Sequence, residues 1–186
     1  AFRLELLEKA KTPYGNINFN IPRFRSVIEL AAKMSNWGVQ TPGRYKGFAA
    51  YFSFHTYVAE VAEVSVEKGK LKVHKIYAAV HCGQVVNLSG AENQVQGGIL
   101  DGLGHAWHSA LTFDKGAVKE NNFHTYKLMR MDDAPPEVEV QFVPSNDPPT
   151  GLGEPALPPA PAAVCNAIFA ATGKRIRKLP FGPELA

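Results

Sequence analysis

The segment Gly151-Leu152-Gly153-Glu154-Pro155 concentrates the chemistry this sequence can offer. Glycines at 151 and 153 let the backbone pass close to a ligand, and Pro155 biases Glu154 towards an extended conformation. A single carboxylate is thereby held on a constrained backbone just upstream of a helix. The residues that follow are almost wholly apolar, so Glu154 is expected to face a poorly hydrated space. Desolvation there would raise its pKa towards a value suited to proton abstraction near neutrality. A structural glutamate that caps nearby amides fits the same residues, and the pattern leaves both readings open. The second candidate is Gln94, in Asn93-Gln94-Val95-Gln96-Gly97-Gly98. Its side-chain amide both donates and accepts, as recognition of a heterocycle edge requires. An ordinary helix-start residue is the competing reading. These glycines are not a phosphate loop, because no Gly-Lys-Ser/Thr follows them.

His105 and His108 stand three apart, a spacing that could chelate a metal, but no acidic or cysteine partner sits at a matching spacing. No protein-ligated metal is therefore expected. Cys82 and Cys165 lie far apart without a CxxC and read as free buried thiols, which fits a reducing compartment. His81-Cys82 keeps a Cys–His hydrolase as a remote alternative. With 186 residues, 45% hydrophobic and 20% charged, the chain has the balance of an ordinary globular domain. A net charge of +3 is too weak for a dedicated nucleic-acid binder. The cluster Lys174, Arg175, Arg177 and Lys178 reads as the solvated end of a helix. No segment qualifies as a membrane span. The sequence opens at Ala1 with no secretion signal in view, so a processed product or a piece of a longer protein is expected. Its location is expected to be cytoplasmic, with the periplasm as the alternative.

These residues must be positioned by recognisable elements. A charged helix-like start, Leu4 to Lys11, is followed by a Pro/Gly/Asn stretch, Thr12 to Pro22, and residues 1–22 are set apart as an arm. Arg23 to Trp37 reads as a helix with Val27, Leu30, Ala31 and Met34 on one face. Val58 to Glu67 and Leu71 to Val80 form a hairpin around Glu67-Lys68-Gly69-Lys70, a short turn containing Gly. Leu71 and Val73 alternate with Lys70, Lys72 and His74, and the alternation drifts near Ile76. From Glu92 to Thr112, Val95, Ile99, Leu103, Trp107 and Leu111 recur every four residues on a glycine-rich helix. Gly97, Gly98, Gly102 and Gly104 imply that a backbone or a ligand comes close. Phe123 to Met131 is read as a short element and Glu137 to Val143 as a strand. A proline-dense loop, Pro144 to Pro161, runs into a last helix, Pro159 to Thr172, closed by Gly173. Strands and helices do not alternate as βαβ units, so the class is α+β: a mixed sheet with a hairpin and packed helices.

The landmarks, taken in order, are Ala59-Glu60-Val61-Ala62-Glu63-Val64, Cys82-Gly83-Gln84-Val85-Val86-Asn87, and Gln94-Val95-Gln96-Gly97-Gly98. Asn122-Phe123 with Tyr126, Gly151-Leu152-Gly153-Glu154-Pro155, Asn166-Ala167-Ile168-Phe169 and Ala171-Thr172-Gly173 follow. In this order and spacing the sequence resembles the C-terminal part of the molybdenum-binding large subunit of the xanthine dehydrogenase/aldehyde oxidase family. Within that family it is most like the isoquinoline 1-oxidoreductase β-subunit branch. His81 and Leu88 depart from residues common in that branch. The resemblance implies that residues 1–186 are a single C-terminal cofactor-binding domain of a longer large subunit. It implies a molybdopterin-type cofactor, in the cytosine dinucleotide form, beside Gln94, Val95, Gly151, Leu152 and Gly153. By the same likeness, Glu154 is the base that activates a molybdenum-bound hydroxide, and water supplies oxygen to an N-heterocycle or an aldehyde. Electrons would leave through iron–sulfur clusters on a separate small 2Fe–2S subunit, since this chain lacks the cysteines to hold them. The alternative is a non-catalytic assembly domain, inactive as an isolated piece.

Overall fold

The computed structural model describes residues 2–10 and 19–185, apart from the Glu184 side chain. Its centre is a four-stranded sheet in the order β1-β2-β3-β6. Strand β1 (Tyr45–Ser53) turns through Phe54 and His55, both at positive φ, into β2 (Thr56–Glu67). Lys68 and Gly69, again at positive φ, then turn β2 into β3 (Lys70–His81). Two consecutive left-handed residues match the twist of paired strands, which is why both hairpins close in two residues. The second was legible from its glycine. The first was not, because Phe54 and His55 are not turn residues by type, and β1 went unassigned.

Helix α2 (Ile21–Met34) covers one face of the sheet, burying Val27, Ile28 and Ala31 against Tyr57, Ala59, Val61 and Ala79. It begins earlier than expected because the Asn20 side chain accepts from the Arg23 amide, and it ends at Ser35 rather than Trp37. Helices α3 (Leu88–Trp107) and α4 (Pro159–Thr172) cover the other face, with Val95, Ile99, Leu103, Ala163, Val164 and Ile168 fully buried. Being covered on both sides, β2 is buried almost continuously, from Thr56 to Val64, rather than on alternate residues. Gly47 on β1 lies directly beneath α4, and a side chain there would collide with the Ala163 carbonyl and the Ala167 amide.

The drift of pattern near Ile76 has a physical origin. Glu63 pairs with Lys75 but Val64 pairs with Val73, so His74 is an extra residue in β3. Such a bulge exchanges the faces on which following side chains lie. Helix α3 starts at Leu88 because Asn87 caps the Gly90 amide, and it stops before Leu111, which is exposed. Helix α4 and its left-handed Gly173 fall where the sequence places them. Phe123 to Met131 forms no helix or strand. The span after α3 instead carries a small hairpin, β4 (Phe113–Asp114) with β5 (Ala117–Val118), and a 3₁₀ turn at Met131–Asp133. Strand β6 (Val138–Phe142) joins β3 in parallel, so one parallel crossover through α3 exists inside the α+β fold. At the start, α1 spans Phe2–Lys9; Lys11 and residues 12–18 lie outside the described residues.

Candidate functional site

The loop from Ser145 to Pro158 is fastened at several points before it reaches α4. The Gln84 amide donates to the Asp147 carbonyl at 2.9 Å, and the Thr150 amide donates to the Cys82 carbonyl at 2.9 Å. Gly83 holds φ +73°, and a side chain there would strike the Pro148 carbonyl. At Gly151 the amide donates to the Phe54 carbonyl at 3.1 Å, while the Gly151 carbonyl accepts from the Thr56 hydroxyl at 2.6 Å. A Cβ on Gly151 would come within 2.7 Å of the Phe54 Cβ. The first hairpin turn and Cys82-Gly83-Gln84 therefore set the path of the loop. Phe54, Thr56 and Thr150 were not singled out from the sequence, and Gly83 stood there only within the Cys82-Gly83-Gln84 landmark.

Beyond these anchors the loop meets α3. Gly98 faces Ala156 and the Gly153 carbonyl, and Gly102 faces the Leu157 backbone so closely that a Cβ would collide with it. These two helix glycines thus admit a neighbouring backbone, as their type predicts. Among the described residues, a Cβ on Gly97, one residue before Gly98, would meet nothing within 4 Å, and neither would one on Gly153. Gln94 is exposed one turn earlier on the same helix. It shares with Leu152, Thr150, Pro149, Cys82 and Val85 an open cleft of about 350 Å³. Two of the expected cofactor-side residues, Gln94 and Leu152, therefore meet on one wall. Val95 is fully buried in the core and offers no side chain to the cleft, and both backbone groups of Gly151 are used by the fold.

Glu154 does not face a dry space formed by this chain. It is exposed, while Pro155 and Ala156 behind it are buried, so the apolar residues pack inward rather than over the carboxylate. Its backbone carbonyl accepts from the Leu157 amide at 3.0 Å. Among the described residues, no amide is capped by the carboxylate.

The histidines and cysteines arrange themselves differently. His105 lies 3.4 Å from Asp101 and His108 lies 3.1 Å from Asp133, so each imidazole has its own acid and the two form no shared centre. Among the described residues there is no group of three or more metal-ligating side chains. Burial pushes the Cys82 thiol up, which disfavours the thiolate a nucleophile needs. Burial, with Arg23 nearby, pushes His81 down. His81 Nε2 accepts from Arg23 Nε at 3.4 Å, and Nδ1 faces the Gly83 amide at 3.5 Å. Those contacts leave no activated Cys–His pair, and the hydrolase alternative falls. No helix among the described residues is long and apolar enough to cross a membrane.

The model of the molybdopterin cofactor-binding domain family matches residues 7–135. The β subunit of isoquinoline 1-oxidoreductase from Brevundimonas diminuta is 31% identical over 171 residues, 89% of this chain and 22% of the relative. A membrane-bound aldehyde dehydrogenase (pyrroloquinoline-quinone) from Gluconacetobacter polyoxogenes is 31% identical over 98% of this chain and 25% of its own length. Among solved structures, aldehyde oxidoreductase from Desulfovibrio gigas superposes with a TM-score of 0.61 at 28% identity, covering 70% of this chain and 15% of that one. The chain thus spans about a quarter or less of the proteins it matches. The matched span takes in α2, β1 to β3 and the helix α3 that carries Gln94, and it ends before β6 and the Glu154 loop; the chain belongs to the molybdopterin cofactor-binding domain family, with the xanthine dehydrogenase and aldehyde oxidase type of large subunit as its relatives.

Proposed function

We propose that this chain is the C-terminal cofactor-binding domain, residues 1–186, of a molybdenum hydroxylase large subunit, and that Glu154 is its catalytic base. The observation that carries the reading is the shared cleft: an exposed amide at Gln94 and the loop through Leu152 open onto the same space. The fit to a molybdopterin-type group is that of one wall. Gln94 can donate to and accept from a pterin edge, while Gly97 and Gly153 present backbone with none of the described residues in front of it. The rest of the large subunit encloses the remainder, and the cytosine dinucleotide form is the proposed cofactor.

When bound, the molybdenum centre supplies the two-electron oxidation of substrate. This chain's own part is positional and acid–base. Thr56 and Phe54 fix Gly151, Pro155 limits the backbone of Glu154, and the Glu154 carboxylate takes the proton from the water that supplies oxygen. Closure by the rest of the subunit would exclude water around an otherwise exposed carboxylate. The substrate class is an N-heterocycle or an aldehyde, and electrons leave to a small 2Fe–2S subunit in a cytoplasmic complex. The name of the Gluconacetobacter relative favours a second reading, a quinone-dependent dehydrogenase.

The test is Glu154→Gln in the full-length complex. Loss of a general base is expected to slow substrate-driven reduction of the cofactor by ~10²–10⁴, about 3–5 kcal/mol, with cofactor occupancy unchanged. Glu154 is exposed and bonds nothing by its carboxylate here, so the melting temperature should hold. Near-normal reduction at full occupancy removes Glu154 from the mechanism.

A further inference from the structure

Glu60 stands in the middle of β2 with 0% of it exposed, and among the described residues neither carboxyl oxygen has a hydrogen-bond partner. It lies on the face shared with Val58 and Ala62, directly across from Ala49 on β1 and Ala78 on β3. Helix α4 covers that face with Ala160, Ala163, Val164, Ala167 and Ile168, none of which carries a donor. The titratable groups on the elements of this side are Tyr45 and Tyr51 of β1, Cys82 beyond β3, Cys165 of α4, and Glu92, Asp101 and His105 of α3. None of them bonds Glu60, and no cation among the described residues offsets it. The contrast lies three residues along the same strand: Glu63 faces the opposite side and meets Arg44 Nη1 at 2.6 Å.

A carboxylate in apolar surroundings, with neither donor nor cation, is costly enough that such groups neutralise instead. We propose that the folded protein carries Glu60 as a neutral carboxylic acid, so that folding takes up one proton and the sheet loosens as the solution turns alkaline. Burial alone pushes this carboxyl well above the ordinary carboxylate range. In the unfolded chain it titrates near the usual glutamate value of ~4.3. Between that value and the higher folded one, the native state binds more protons than the unfolded state. Stability from this group is therefore complete below the unfolded pKa and declines as pH rises through the window up to the folded pKa. The same strand begins at Thr56, which holds Gly151, so the sheet affected is the one on which the candidate loop rests. The proposal stands whether or not Glu154 is a base.

The experiment compares the natural protein that carries this chain with its Glu60→Gln and Glu60→Met variants. Denaturant unfolding is followed from about pH 5 to about pH 9, and infrared spectra are taken at neutral pH. One proton of linkage makes the folding equilibrium of the wild type fall, relative to either variant, by up to ~tenfold per pH unit. The wild type should also show a protonated-carboxyl C=O stretch at neutral pH that both variants lack. Parallel pH profiles, or a wild type without that band, would overturn the proposal. If neither variant folds, the wild-type band decides alone: present, it supports the neutral acid; absent, it refutes it.

Discussion

Single residues divide into those that face the cleft and those that hold its wall. Gln94 is exposed on the cleft, so Gln94→Ala should leave the fold intact and lower molybdenum occupancy in the intact complex. An unpaired polar edge costs ~1–3 kcal/mol, enough to lose cofactor without abolishing turnover by molecules that keep it. Molybdenum content set against activity per molybdenum separates the two effects; full occupancy with collapsed activity would make Gln94 catalytic instead. Thr56 is the complementary case, fully buried with its hydroxyl on the Gly151 carbonyl. Thr56→Val removes that bond and leaves a carbonyl short of a partner, so denaturant unfolding should show a loss of ~1–3 kcal/mol. Gln94 and Glu154 were legible because their neighbouring glycines and proline mark unusual backbone. Thr56 was not, because a threonine at the start of a strand is unremarkable by type, and its importance comes from a residue far along the chain.

Among the elements, α3 carries the sharpest test of why its glycines are there. Gly102→Ala drives a methyl into the Leu157 backbone, and overpacking of that kind costs ~1–3 kcal/mol. Gly97→Ala meets no atom of this chain in mid-helix, and the gain in helix propensity should add ~0.5–1 kcal/mol to the stability of the chain. If Gly97 instead leaves room for cofactor or for the rest of the subunit, the same variant should assemble or load poorly in the complex. Thermal or denaturant unfolding of both variants checks the contrast in sign. The helices were readable from the sequence because burial on one face leaves a period, as with Val95, Ile99 and Leu103. The sheet was harder to read. The bulge at His74 breaks the alternation, β2 is covered on both faces, and β6 pairs in parallel with a strand more than fifty positions away.

At the scale of the molecule, the proposed function makes the chain one wall of a larger site. Val86, Leu88, Phe113, Phe123 and Met131 are exposed apolar side chains, with Met131 at 87%, and the cleft beside Gln94 is open. On the proposed reading these side chains meet the rest of the large subunit. The sequence already implied a piece of a longer subunit, and the structure adds which residues of this chain line the open cleft. Ligand pockets normally bury 70–90% of what they hold, and a single cleft wall cannot enclose a large pterin. The measurement that tests the central claim most directly is cofactor analysis of two preparations, the isolated 186-residue chain and the full-length complex that contains it. The account predicts stoichiometric molybdenum and pterin in the complex and neither on the isolated chain. A complex that contains pyrroloquinoline quinone, or no redox cofactor at all, in place of molybdenum would contradict it.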